Sequence, residues 1–270
     1  MNERSRWIGD MITVAGIVAL FGAVYLLPPD TSLAQMKQAG ALRACVPTLY
    51  PPLVTGKADA PGFDIEFAQA IAKRLDVRLI LNTNPAMGRD FNPRNWNVTR
   101  AQCEMLAGGV VVSDTTRSFL DTTPPHLQTG WALVAANLPE RLQDKKVGFF
   151  AGLVGLDRIA LSRFLQAQKA RIEIMPSAEA LAEGLRTGRF DAGVSEALIA
   201  RQIAGGIGAR VAWLPETLGR YPVAFGLWKG DLTLKRRLVD VIDQLDREGL
   251  PRELAMRYKI APIETSLHFN

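Results

Sequence analysis

Short β-rich runs alternate with helical patterns in two successive sets along this 270-residue chain, and that alternation limits its fold more than any other feature. In the first set, Leu42–Val46 reads as a strand. Asp64–Leu75 reads as a helix with Ile65, Phe67, Ala68, Ile71, Ala72 and Leu75 apolar, and Val77–Leu81 reads as the next strand. Met105–Val112 is a nearly unbroken apolar run, suited to a strand buried on both faces. The second set begins after Gly130, with strand Lys146–Phe150, helix Gly155–Gln168 and strand Ile172–Met175. It continues with helix Ser177–Thr187, capped by Ser177, and strand Phe190–Val194. Leu232–Glu248 carries Leu234, Leu238, Val241, Ile242 and Leu245 at helical spacing; Gly249 ends it and Pro251 opens a shorter helix to Tyr258. The alternation predicts an α/β protein with largely parallel sheets. Each set is too small to be a complete α/β domain, and no low-complexity linker separates them. The expectation is therefore two lobes joined by short crossing strands, with the cleft between them as the ligand site.

The N-terminus follows different rules. Met11–Leu27 is seventeen residues without a charge, preceded by Arg4 and Arg6 and ended by Pro28-Pro29-Asp30. Ser32-Leu33-Ala34 satisfies the small-residue rule for signal peptidase, and seventeen apolar residues sit at the short end of the membrane-spanning range. Residues 1–34 thus read as a signal peptide or as an uncleaved signal anchor, one N-terminal hydrophobic helix in either case. Ser32 also reads as the N-cap of a helix Leu33–Gln38, which cleavage after Ala34 would remove; this tilts the reading toward the anchor. Both readings put residues 35 onward outside the cytoplasm, attached to the membrane through residues 11–27 if these are retained.

Composition removes several function classes. The chain has two histidines, His126 and His268, and two cysteines, Cys45 and Cys103, with no C-x-x-C or H-E-x-x-H. No metal site is expected. No G-x-x-x-x-G-K-[ST] is present, and Gly206-x-Gly208 lacks the third glycine of a dinucleotide loop, so no cofactor is expected either. Residues 1–34 hold two basic and three acidic side chains of the 32 and 27 in the chain, which leaves the rest at +6. That excess is scattered, with Lys235-Arg236-Arg237 its longest block, whereas a nucleic-acid surface needs a clustered stripe. Gly193-Val-Ser195-Glu-Ala197 falls between a strand and a helix as a hydrolase nucleophile would, but it lacks the second glycine, and the histidines are misplaced for a triad.

Several motifs, in order, resemble a known family. Leu42-Arg-Ala-Cys-Val, Tyr50-Pro-Pro-Leu and Gly62-Phe-Asp-Ile-Glu-Phe-Ala-Gln-Ala-Ile-Ala-Lys-Arg-Leu75 look like the opening of the bacterial extracellular solute-binding proteins of family 3. The resemblance continues through Gly108-Gly109, Ser113-Asp-Thr-Thr-Arg117, Lys145-Lys-Val-Gly148 and Ala151-Gly152. It then takes in Gly188-Arg-Phe-Asp-Ala192 and Trp228-Lys-Gly-Asp231, covering roughly residues 33 to 260. It implies the type II two-lobed periplasmic binding fold, with crossings near Leu127–Trp131 and Tyr221–Ala224. Lobe 1 would be 35–128 plus 223–270, and lobe 2 would be 129–222.

The resemblance also implies a site. Arg117 matches the arginine that grips a ligand carboxylate; its planar guanidinium can make two parallel charge-assisted bonds. Glu196 falls five residues after Asp191, where the family keeps an aspartate that pairs the ligand amine, and Tyr50 matches an aromatic wall. Gly109, Ser113 and Leu153 complete the expected ligand contacts. Val112 replaces a hydroxyl residue five positions before Arg117, with Ser113 able to substitute if the backbone shifts by one. Leu153-Val154 replace a hydroxyl pair, and Pro47 stands where many members carry an acid. These departures point from a standard polar amino acid toward an anionic solute with a more apolar body.

Cys45 and Cys103, in or beside neighbouring expected strands, make a disulfide feasible, with two buried thiols as the other reading. With Arg89-x-Phe91 and Arg94-Asn95 between them, they resemble the J-type binding proteins associated with PQQ-dependent alcohol dehydrogenases. The implied function is non-catalytic: hinge closure over a small anionic or zwitterionic solute, for delivery to an ABC permease. Two alternatives remain at this point, an accessory role beside a periplasmic quinoprotein dehydrogenase and a periplasmic dehydratase with Glu196 as proton donor.

Overall fold

The computed structural model describes residues 7, 11–19, 22, 29–87, 92–152, 156–260, 262–267 and 269. The chain divides into two compact units, 1–31 and 32–270. In the first, residues 11–19 are helical. The expected hydrophobic segment 11–27 lies partly outside the described residues, among which no helix is long and apolar enough to cross a membrane.

The second unit is a mixed α/β body with a ten-stranded sheet. It begins with α1 (Ser32–Ala39), β1 (Ala41–Pro47), α2 (Phe63–Arg74), β2 (Arg78–Asn84), β3 (Met105–Val111), α3 (Asp114–Phe119) and β4 (Leu120–Thr122). Next come β5 (Leu127–Ala135), β6 (Lys146–Phe150), α4 (Arg158–Ala167), β7 (Arg171–Ile174), α5 (Ala178–Arg186), β8 (Ala192–Glu196) and α6 (Ala197–Ile207). It closes with β9 (Arg210–Trp213), β10 (Arg220–Trp228), α7 (Leu232–Arg247) and α8 (Leu250–Arg257).

The local chemistry explains the bounds. Asp157 caps α4 by accepting the Ile159 and Ala160 amides, so that helix starts later than its apolar pattern implies. Ser177 caps α5 as expected, through the Ala180 amide. Ser32 is the first residue of α1 instead of its cap; its hydroxyl meets Thr233 Oγ1 at 3.1 Å. Phe190 lies outside β8, packed where Gly148 and Gly184 leave room for its ring, and the strand runs two residues further than expected, to Glu196. Gly62, before α2, has φ +120°, and a Cβ there would lie 2.2 Å from the Leu53 carbonyl oxygen. No other residue fits at that turn.

The strand order is β2-β1-β3-β10-β5-β8-β6-β7, with β4 on β10 and β9 on β5. β1 pairs in parallel with β2 and β3, and β6 pairs in parallel with β7 and β8. Between these two parallel groups, β10 and β5 run antiparallel, pairing Arg220 with Gly130 through Val223 with Leu127. Phe63, Phe67 and Ile71 of α2 pack with Phe225 and the buried face of α7 in the main core, and a second core forms around Leu181, Phe190, Ile199 and Trp213. A third chain passage joins the halves. After α8 the tail reaches β9, where the Trp213 amide donates to Thr265 O at 2.8 Å and the Leu267 amide donates to Trp213 O at 2.9 Å.

Cys45 on β1 and Cys103 just before β3 are bonded, with Cα atoms 5.6 Å apart, inside a small core with Met87, Trp96 and Trp228. The Trp228 indole donates to the Cys103 carbonyl at 2.6 Å, so the Trp228-Lys-Gly-Asp231 motif holds this corner. Closing the loop of 58 residues removes unfolded-state freedom. Reduction, or Cys45→Ser with Cys103→Ser, is expected to lower the unfolding free energy by about 4 kcal/mol in urea titrations. An unchanged midpoint would contradict a structural role for the bridge.

Candidate functional site

Two buried acids organise the region where the halves meet. Asp64, in the first turn of α2, has no exposed surface. One oxygen accepts the Gly108 and Gly109 amides at 2.7 and 3.0 Å, and the other lies 3.0 Å from His126 Nε2. The His126 ring packs among Phe63, Phe67 and Phe225. These contacts explain the aspartate of the Gly62-Phe-Asp motif. It fixes the irregular Gly108-Gly109 stretch inside β3, both residues at φ +88°, where a Cβ on Gly109 would lie 2.5 Å from the Tyr50 ring.

Glu196 is the second acid. It ends β8 and caps α6, accepting the Ile199 amide at 3.2 Å on Oε2, while the Thr129 hydroxyl of β5 donates to Oε1. Tyr50, from the first half, lies near enough to this carboxyl for the two groups to shift each other's proton affinity. Burial pushes Glu196 up to about 7, opposed by the Leu198 and Ile199 amides, the Arg201 charge and the Tyr50 hydroxyl. Burial likewise raises Tyr50 well above the usual tyrosine range, helped by the charges of Glu196 and Asp64.

The structure therefore brings together three of the expected residues, Tyr50, Gly109 and Glu196. Tyr50 is only 3% exposed, so its ring packs on Gly109 here instead of offering an open face. Ser113 is committed to its own helix, its oxygen accepting the Thr116 amide at 3.2 Å as the N-cap of α3. Arg117 is exposed on that short helix, with its amide on Ser113 O at 2.8 Å. Leu153 and Val154, and also Arg89 and Phe91, lie outside the described residues. Ser195 donates to Phe150 O at 2.8 Å while His126 faces Asp64, so this serine and this histidine are not a nucleophile–base pair.

Sequence reasoning missed Thr129, His126 and Arg201. Thr129 and His126 acquire their partners only through strand crossing. Arg201 carried a local signal: it is the lone charge in Ala197–Ile207 and is 6% exposed.

No family model matches the chain, and comparisons with individual proteins bear on its fold. The L-cystine-binding protein TcyJ of Escherichia coli (strain K12) is 25% identical over 241 residues, covering 84% of this chain and 85% of that protein. A solved substrate-binding protein of a polar amino acid ABC uptake transporter from Streptococcus thermophilus superposes with TM-score 0.69 at 18% identity. It spans 85% of this chain and 90% of its own. An ancestral cationic amino acid solute-binding protein superposes with TM-score 0.68 at 19% identity, over 84% and 99%. A second structure of that ancestor describes it as a precursor of cyclohexadienyl dehydratase. These matches bear out the two-lobed periplasmic binding fold and the resemblance to family 3, and they favour neither the quinoprotein nor the dehydratase alternative.

The Glu196 carboxyl gives a test that needs no ligand. With a value near 7 when folded against an ordinary 4.5, it binds its proton more tightly in the folded chain. Its contribution to stability is complete below about 4.5 and is lost as pH rises through about 7. Relative to Glu196→Gln, the wild type should lose on the order of 3 kcal/mol of unfolding free energy between pH 4.5 and 8. Parallel pH profiles for the two proteins would contradict the buried acid.

Proposed function

We propose that this relative of the family 3 extracellular solute-binding proteins closes two lobes over a small anionic or zwitterionic solute and delivers it to an ABC importer. The lobes are 35–128 with 223–270, and 129–222, and the protein works in the periplasm. The observation that carries the reading is the meeting of Tyr50 and Gly109 from one half with Thr129 and Glu196 from the other, beside the antiparallel pair of β5 and β10. Two strands paired over a few residues form a hinge about which rigid halves can rotate, and a solute that contacts both halves favours the closed arrangement.

Each residue has a stated part. Arg117 is the anion clamp, exposed and able to turn toward a carboxylate. Glu196 is the counter-group from the second half, and Tyr50 shields it from water. Ser113 and Gly109 shape the floor, and Leu153 offers an apolar contact from the second lobe. The Thr129 hydroxyl and the Ile199 amide already donate to Glu196, so an amine-bearing solute would share the carboxyl with them. The site is read as a receptor without catalysis, in keeping with its curated relative, a binding protein.

A thermal-shift screen against L-cystine, polar amino acids and small organic acids tests this. A true solute at one hundred times its Kd stabilises by about 2.7 kcal/mol. Arg117→Ala is expected to abolish that stabilisation while leaving the unliganded melting temperature unchanged. Stabilisation that survives Arg117→Ala would sink the clamp, and no stabilisation by any solute would sink the receptor reading.

A further inference from the structure

A cavity of about 430 Å³ adjoins the site, sharing His126 and Arg201 with it but none of Tyr50, Gly109, Ser113, Arg117, Thr129 and Glu196. Its walls are the start of β5 at Leu127 and Gln128, Arg201 of α6, Trp213 of β9, α8 with Ala255, and the tail at Ile260 and Ile263. The size suits a small organic molecule, and most of the lining is apolar.

Among the polar residues of the lining, Arg201 is the buried cation. It is 6% exposed, and burial pulls it down to about 10. One terminal nitrogen donates to Ile260 O at 3.3 Å, and the guanidinium lies 5.4 Å from the Trp213 ring centroid. Its Nε has no hydrogen-bond partner, and no carboxylate pairs with it among the described residues. Glu196 acts on it only at a distance, and Arg220 adds a second cation 5.0 Å from the same indole. A buried cation without a counter-ion is expensive, and a ligand carboxylate in the adjoining space relieves that cost. Asp246 and Arg252 also line the cavity, with opposite charges, so the surplus is a single positive charge.

We propose that this cavity is a second binding site, taking a small monocarboxylate with an apolar body, its charge on Arg201 and its body against Trp213, Ala255 and Ile263. One buried arginine, with Asp246 and Arg252 offsetting each other, matches a single negative charge and disfavours a dianion. The walls include β5 at its crossing and the tail that joins α8 to β9, so an occupant touches both halves and its binding is coupled to how they are set.

Benzoate and its uncharged analogue benzamide probe the full-length protein. Benzoate should raise the melting temperature saturably, with benzamide binding at least about tenfold more weakly because the charge-assisted contact is lost. Ala255→Phe, which fills the cavity, should abolish the benzoate shift, and Arg117→Ala should retain it. The indole N–H resonance of Trp213, assigned with Trp213→Phe, should move on titration with benzoate; this reading on the otherwise unaltered protein holds even if Ala255→Phe does not fold. A benzoate shift lost in Arg117→Ala would place the anion in the cleft and overturn the proposal. Equal binding of benzamide, or a stationary Trp213 resonance at saturating benzoate, would overturn it too.

Discussion

The Glu196 carboxyl takes the Thr129 hydroxyl on one oxygen and the Ile199 amide on the other, and Tyr50 reaches it from the opposite half. One side chain thus ties a crossing strand, the first turn of a helix and the facing half of the molecule to a single point. With no exposed surface it must be fully hydrogen-bonded or neutral, and the protein uses both devices. Thr129, Leu198, Ile199 and Arg201, which act on it, all lie in the second half, and Tyr50 alone comes from the first.

Asp64 plays the complementary part within the first half. By gathering the Gly108 and Gly109 amides it sets the stretch of β3 against which Tyr50 packs, on the side of Glu196. The disulfide and the Trp228 indole brace the same strands from the other end. The first half is joined to the second through β5 and β10 and by a tail that returns to β9.

Much of this was legible in the chain because it is local. The apolar run Met105–Val111, the period of α2 and α7, and the Ser177 cap each declare an element through neighbours in sequence. The family motifs named Tyr50, Gly109 and Glu196, which do come together. What stayed hidden was set by partners far along the chain. Thr129 meets Glu196 across 67 residues, and His126 meets Asp64 across 62. Nothing near Trp213 in sequence foretells that residues 263–267 will lie beside it. Phe190 looked like strand and instead fills the space left by two glycines, a case of packing overriding propensity.

The proposed closure of the halves is open to direct measurement. Cys45 and Cys103 are bonded to each other, so cysteines introduced at Lys73 on α2 and Arg186 on α5 can be spin-labelled selectively. Pulsed electron–electron distances between them, with and without the solute that raises the melting temperature, report closure. The account predicts a shorter and narrower distance distribution in the presence of solute. A distribution that does not change at saturating solute would contradict closure as the way this protein works.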